Sequence, residues 1–190
     1  MFNKQKKFVL NFKILKLLFF SPLLISIPFN LALNDLKAGF EFQWDDQSGY
    51  RKLKWFQKNN NNKARNTIFF FLRPADRKAS LLKITLKIPK TFKSTINEEK
   101  IRFCKVRIGG YETRTKCIED IPADIELNED NTSLDIFPYS PIPSNKDSYA
   151  ILLKVFNPKR TGLYQFHTYG QYFGDDTVSS YLGSVTILID

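Results

Sequence analysis

The chain has 190 residues, of which 43% are hydrophobic and 15% aromatic. This fits one globular domain and excludes bulk disorder. Two cysteines exclude a disulfide-dense scaffold and a multi-cysteine zinc module, one histidine excludes a multi-histidine metal site, and a net charge of +10 leaves the chain strongly basic.

Residues 1–38 differ in character from the rest. Lys4, Lys6, Lys7, Lys13 and Lys16 come first with no acid among them, and residues 17–27 then carry no charge. Basic then apolar is the layout of a secretory signal peptide. The apolar run is shorter than the roughly 20 residues of a membrane span, and Pro22 and Pro28 interrupt it. No small-x-small cleavage pattern follows. Residues 1–38 are therefore expected to be a signal peptide or an uncleaved N-terminal membrane anchor, with a buried first helix as the bland alternative. Export to the periplasm, the cell surface or the medium follows from either of the first two. Residues 39–190 are expected to form a single β-sandwich domain.

After residue 38 the hydrophobic period is two. Leu82-Lys83-Ile84-Thr85-Leu86-Lys87-Ile88 alternates strictly, as a strand with one wet face does. Thr67–Leu72 is a continuous apolar run that suits a more central strand. Further runs lie at 101–108, 113–118, 133–137, 149–156, 163–169 and 182–189. They are short, β-branched or aromatic, and bounded by Gly, Pro, Asn or Asp. About eight strands with frequent turns predict an all-β chain. The expected architecture is an immunoglobulin-like antiparallel β-sandwich, with a barrel second. Asn59–Lys63 reads as a solvated tip, 138–143 as a proline-rich connection, and 170–181 as a long loop.

Charge divides the chain. Residues 51–107 hold 17 Lys and Arg against Asp76, Glu98 and Glu99, whereas residues 108–190 hold six against twelve acids. Sheet pairing between the halves would neutralise much of this field. The basic 51–107 region could contact an envelope polymer or another anionic surface; nucleic acid is not an expected partner of an exported chain. A membrane is expected only through the N-terminal segment, if that is uncleaved.

The chemistry-bearing residues are few. His167 stands on the strand face opposite Tyr164, Phe166 and Thr168 and is expected to be structural. The acid pairs Asp45-Asp46, Glu119-Asp120, Glu129-Asp130 and Asp175-Asp176 are sequence neighbours, which point to opposite sides of a strand. Asp175-Asp176 matches no calcium-loop spacing, and Gly109-Gly110 lacks the helix and Lys-Ser pair of a phosphate loop. The expectation is no catalytic residue, no metal ligand and no cofactor. The leading function is a non-enzymatic, structural or binding protein of the cell envelope. A hydrolase of envelope glycans or esters and a binder of anionic polymer are the alternatives.

Gly162-Leu163-Tyr164-Gln165-Phe166 has the Gly-x-Tyr-x-apolar spacing of a tyrosine corner, in which Tyr164 would bond back to backbone near 157–160. Asn157-Pro158, Gly162, Tyr164 and Phe166 form the string Asn-Pro-x-x-x-Gly-x-Tyr-x-Phe, with Tyr181-Leu182-Gly183 further on. With Pro141-Ile142-Pro143 and the 70–89 stretch, this resembles a family of exported cyanobacterial proteins carrying a domain of unknown function. Ser144-Asn145 and residues 171–176 depart from that family's Gly and Pro-Gly. The resemblance implies an exported β-rich domain and no catalytic residues.

Cys104 and Cys117 are expected to pair, because export places them in an oxidising compartment. A four-residue loop, 109–112, would set Cys104 directly opposite Cys117. A two-residue turn on Gly109-Gly110 would instead make Cys117 a diagonal neighbour. Two separate buried thiols are the bland alternative.

Overall fold

Alternation and apolar runs set where the strands form in the computed structural model, which describes residues 49–174 and 178–190. The 1–38 segment, Asp45-Asp46 and Asp175-Asp176 lie outside the described residues. The strands are β1 Trp55–Gln57, β2 Arg65–Leu72, β3 Leu81–Lys87, β4 Ile101–Arg107, β5 Lys116–Asp120, β6 Ala123–Leu127, β7 Ser133–Pro138, β8 Tyr149–Phe156, β9 Gly162–Tyr172 and β10 Ser180–Ile189. No helix among the described residues is long and apolar enough to cross a membrane.

The strands form two five-stranded antiparallel sheets. Sheet I has the order β1-β2-β8-β4-β5, and sheet II the order β10-β9-β3-β7-β6. Placing β2 beside β8, and β3-β9-β10 together on the other sheet, is the B–E and C–F–G arrangement of an immunoglobulin-like sandwich. The core between the sheets includes Ile68, Phe70 and Leu72 of β2, Ile84 and Leu86 of β3, Ile151 and Leu153 of β8, and Phe166 of β9. Phe70 and Phe92 pack against Phe166 at centroid distances of 5.0 and 5.2 Å. Such ring pairs contribute about 0.5–1.5 kcal/mol beyond their buried area.

Sheet I is buried on both faces at its centre, as the run Ile68-Phe69-Phe70-Phe71-Leu72 requires. Phe69 and Phe71 point away from the sandwich and form a second cluster with Cys104, Val106, Ala150 and Leu152.

Three readings of the sequence are corrected. Ten strands replace about eight, because β1 and β6 escape the pattern. The strand expected at 113–118 runs instead over Lys116–Asp120. Pairing of β9 with β10 continues to Gly170 opposite Ser180, which shortens the expected 170–181 loop. Asn59–Lys63 is exposed over 61–63, as a solvated tip should be, and is also tied down: Asn62 N donates to Asp190 O at 2.7 Å, and Asp190 N donates to Asn60 O at 2.8 Å.

The chain crosses between sheets at its described start. Lys52 bridges Ser184 of β10 in parallel, and β1 then pairs with β2. Gly183 permits the crossing, since a Cβ there would stand 2.7 Å from Arg51 O and its φ is +149°. Only glycine tolerates both demands.

Candidate functional site

The corner from β8 to β9 carries the most specific sequence string, and its side chains are internally satisfied. Asn157 is buried. Its Nδ2 donates to the carbonyls of Asn59 and Asn61 at 3.1 and 2.8 Å, and its Oδ1 accepts from Asn66 Nδ2 at 2.9 Å. Gly162 has φ +143°, a conformation that favours glycine. Tyr164 is 3% exposed, and its hydroxyl donates to Arg160 O at 2.5 Å. Its ring meets Phe92 edge-on at 5.2 Å.

Cys104 and Cys117 are joined by a disulfide with Cα atoms 5.7 Å apart, within the usual range of about 4.4–6.8 Å. Neither expected turn connects them. Val106 faces Cys117, Lys105 faces Glu119, and Ile118 is left between them as a bulge. Gly110 N donates to Thr113 O at 2.9 Å, so the tip is Tyr111-Glu112. The bulge brings Cys117 diagonally within reach of Cys104. Gly109 lies against the returning strand, since a Cβ there would sit 2.5 Å from Thr115 N. Asp120 lies close to both sulfurs, but sulfurs bonded to one another offer no thiolate to a metal.

His167 pairs with Ser184 across β9 and β10. Its Nδ1 lies 2.6 Å from Ser184 Oγ, which lies 2.5 Å from the Tyr181 hydroxyl. Histidine beside serine is the pairing of a hydrolytic nucleophile. Here Ser184 is 0% exposed beneath the 51–53 crossing, so no substrate carbonyl reaches its oxygen.

Charge gives a different contrast. Lys83 pairs with Asp135 at 3.0 Å, Arg102 with Asp120 at 2.5 Å, and Lys105 with Asp147 at 2.7 Å. These three pairs join the basic first half to the acidic second half. The hydrogen bond from Lys105 holds the Asp147 carboxyl below the usual aspartate range. Arg77 is buried; it donates to Leu72 O at 2.6 Å and to Asp147 O at 2.9 Å and lies over the Tyr149 ring at 4.8 Å. Burial pushes its pKa down.

Lys52, Lys54, Lys58 and Arg114 are exposed and belong to none of the four ion pairs among the described residues. They gather along one groove. A cleft of about 540 Å³ runs between the 52–56 segment and the β4–β5 turn, over Phe71 and Ile108. It meets a second stretch of about 630 Å³ lined by Lys58 and Arg114, with Phe56, Gly109 and Thr115 shared. No Asp or Glu lines either stretch. Sequence reasoning found the basic region but not the groove, which is assembled by contacts between segments far apart in the chain.

Strand order and the β8–β9 corner together define an immunoglobulin-like domain. Within that class the chain belongs to the family described as "Protein of unknown function (DUF2808)", whose model matches residues 42–189. No curated protein matches the chain. Among solved structures, the collagen-binding domain from a Staphylococcus aureus adhesin is similar at 11% identity and a TM-score of 0.42, covering 72% of this chain and 95% of that one. BslA, a bacterial hydrophobin, is similar at 13% identity and a TM-score of 0.44, covering 73% and 97%. An uncharacterized protein from Nocardia farcinica with an immunoglobulin-like fold is similar at 8% identity and a TM-score of 0.40, covering 73% and 97%.

Proposed function

We propose that the chain is an exported, non-enzymatic domain of the cell envelope, structural or binding, directed there by residues 1–38 and folded over residues 39–190. Cys104 and Cys117 serve it as a structural disulfide, and Gly162 and Tyr164 as a tyrosine corner. The observation that carries this reading is the disulfide, joined to the basic-then-apolar leader. A cross-link of this kind persists in an oxidising compartment and is rare in the cytosol. The burial of Ser184 supports the non-enzymatic part, because it withdraws the histidine-linked hydroxyl from any substrate.

Fractionation of the source cells, with intact mass measured before and after reduction and alkylation, tests this. The expected result is protein in the envelope or medium that gains two alkyl groups only after reduction. Protein in the cytosolic fraction with two free thiols would overturn it.

A further inference from the structure

The cation-rimmed groove beside β1 has a composition that the fold does not require. Three cations of the basic half, Lys83, Arg102 and Lys105, each meet an aspartate from the acidic half. Lys52, Lys54, Lys58 and Arg114 do not. Like charges left close together raise the energy of the folded state unless an external anion meets them. Glu112, the acid of the β4–β5 turn, is exposed and does not line the groove.

The groove also has an apolar component. Phe56 is 40% exposed and stands where the two stretches meet. Its ring packs against Phe69, its cross-strand partner on β2, at 5.9 Å, so it is held rather than free. Beneath lie Phe71 and Ile108. Gly109 and Gly110 form part of the wall; Gly109 packs against Thr115, while Gly110 has open space where a side chain would stand. A ligand that fits is an extended chain with regularly spaced anionic groups and flat apolar faces between them.

From this the geometry points to an acidic polysaccharide, bearing carboxylate or sulfate groups, as the occupant of the groove. The inference rests on the exported binding domain proposed above and names its site and ligand class. Two other polyanions fit less well. A bilayer surface cannot reach a recessed floor, since Phe71 is 2% exposed. An acidic peptide adding itself as a strand needs free backbone at a sheet edge. On this side β1 offers an edge of only three residues, and the backbone just before it is already used, because Leu53 N donates to Ser184 O and Ser184 N donates to Arg51 O. Sugar rings need no such edge. Their C–H faces lie on an aromatic ring while their acidic groups meet the lysines.

The test is equilibrium binding of the full chain to polygalacturonate and to dextran sulfate, with neutral dextran, polyglutamate and phosphatidylglycerol vesicles as comparisons. Binding to at least one acidic polysaccharide is expected, weakening as salt rises, with none to dextran. Lys54→Ala, Lys58→Ala and Arg114→Ala together should lower affinity about tenfold, as three exposed ion pairs imply. Phe56→Ala should lower it severalfold at unchanged net charge, which diffuse attraction would not do. Lys90→Ala with Lys93→Ala removes two exposed cations outside the groove and should leave affinity within about twofold of the parent at moderate salt. Melting temperature and the reductant-sensitive mass, unchanged in every variant, would show that the fold survives. Equal loss from both lysine sets, tighter binding to polyglutamate or vesicles, or no binding to either polysaccharide would each overturn the inference. Those failures leave the export reading standing, because fractionation tests it separately.

Discussion

The β8–β9 corner and the β1 groove lie on one domain and are built on opposite rules. At the corner each polar group that is buried has a partner. Asn157 closes three hydrogen bonds onto the 59–66 segment, and Tyr164 closes one onto Arg160. At the groove Lys52, Lys54, Lys58 and Arg114 are exposed and belong to no ion pair among the described residues, and an aromatic ring is held up to solvent. Buried, satisfied polarity specifies a fold. Exposed, unsatisfied charge contributes little to stability and is free to meet a ligand. The recognisable string Asn157–Phe166 therefore reports architecture, while the less distinctive residues 52–58 and 108–115 carry the interaction proposed here.

Substitution separates the two regions sharply. Asn157→Ala should have the largest effect, about 3 kcal/mol of stability, because it strands two carbonyls and the Asn66 amide. Urea unfolding would measure it, and a loss under a quarter of that would mean the corner is solvated. Replacing Cys104 and Cys117 together by alanine should cost about 3 kcal/mol in the chain-entropy model. Tyr164→Phe should cost about 1–3 kcal/mol, since it leaves Arg160 O without its donor. Alanine at Lys54, Lys58 or Arg114 should change stability by less than about 0.5 kcal/mol each. A groove variant that unfolds the domain would erase the distinction drawn between the regions.

What the sequence made legible follows from the range of the interactions. The strict alternation of 82–88 is local, and β3 forms there. β6 alternates too, Ala123, Ile125 and Leu127 against Asp124 and Glu126. Beside Pro122 and the acidic turn that follows, its five residues look like a solvated connection. β1 has three residues and owes its place to β2. Cys104 and Cys117 could be singled out from composition, but their register could not, because the bulge at Ile118 leaves no pattern in the sequence. The Asn59–Asn62 run looked featureless because its clamp, Asn157, lies almost a hundred residues away. The groove is a meeting of two such distant segments, and only folding reveals it.

A smaller effect sharpens the account of charge. Asp147 accepts from Lys105 and titrates below the ordinary aspartate range. A carboxylate with a lowered folded-state pKa adds stability that is complete above its unfolded value and disappears as pH falls through the folded one. The pair is open to solvent, so the effect on unfolding should be slight. Carboxyl NMR titration should find Asp147 below ordinary aspartates, and Lys105→Ala should move it back up. No movement would mean that the charge halves do not neutralise one another as the structure suggests.

The central claim is that the groove is the binding surface and the corner is scaffold. The most direct measurement is a backbone NMR titration of the domain with polygalacturonate oligomers at low salt. The account predicts shifts concentrated at Lys52–Lys58 and Ile108–Thr115, with Asn157–Phe166 unmoved. Shifts spread over all exposed lysines, or centred on the outer face of sheet II around Tyr169 and Tyr181, would contradict it.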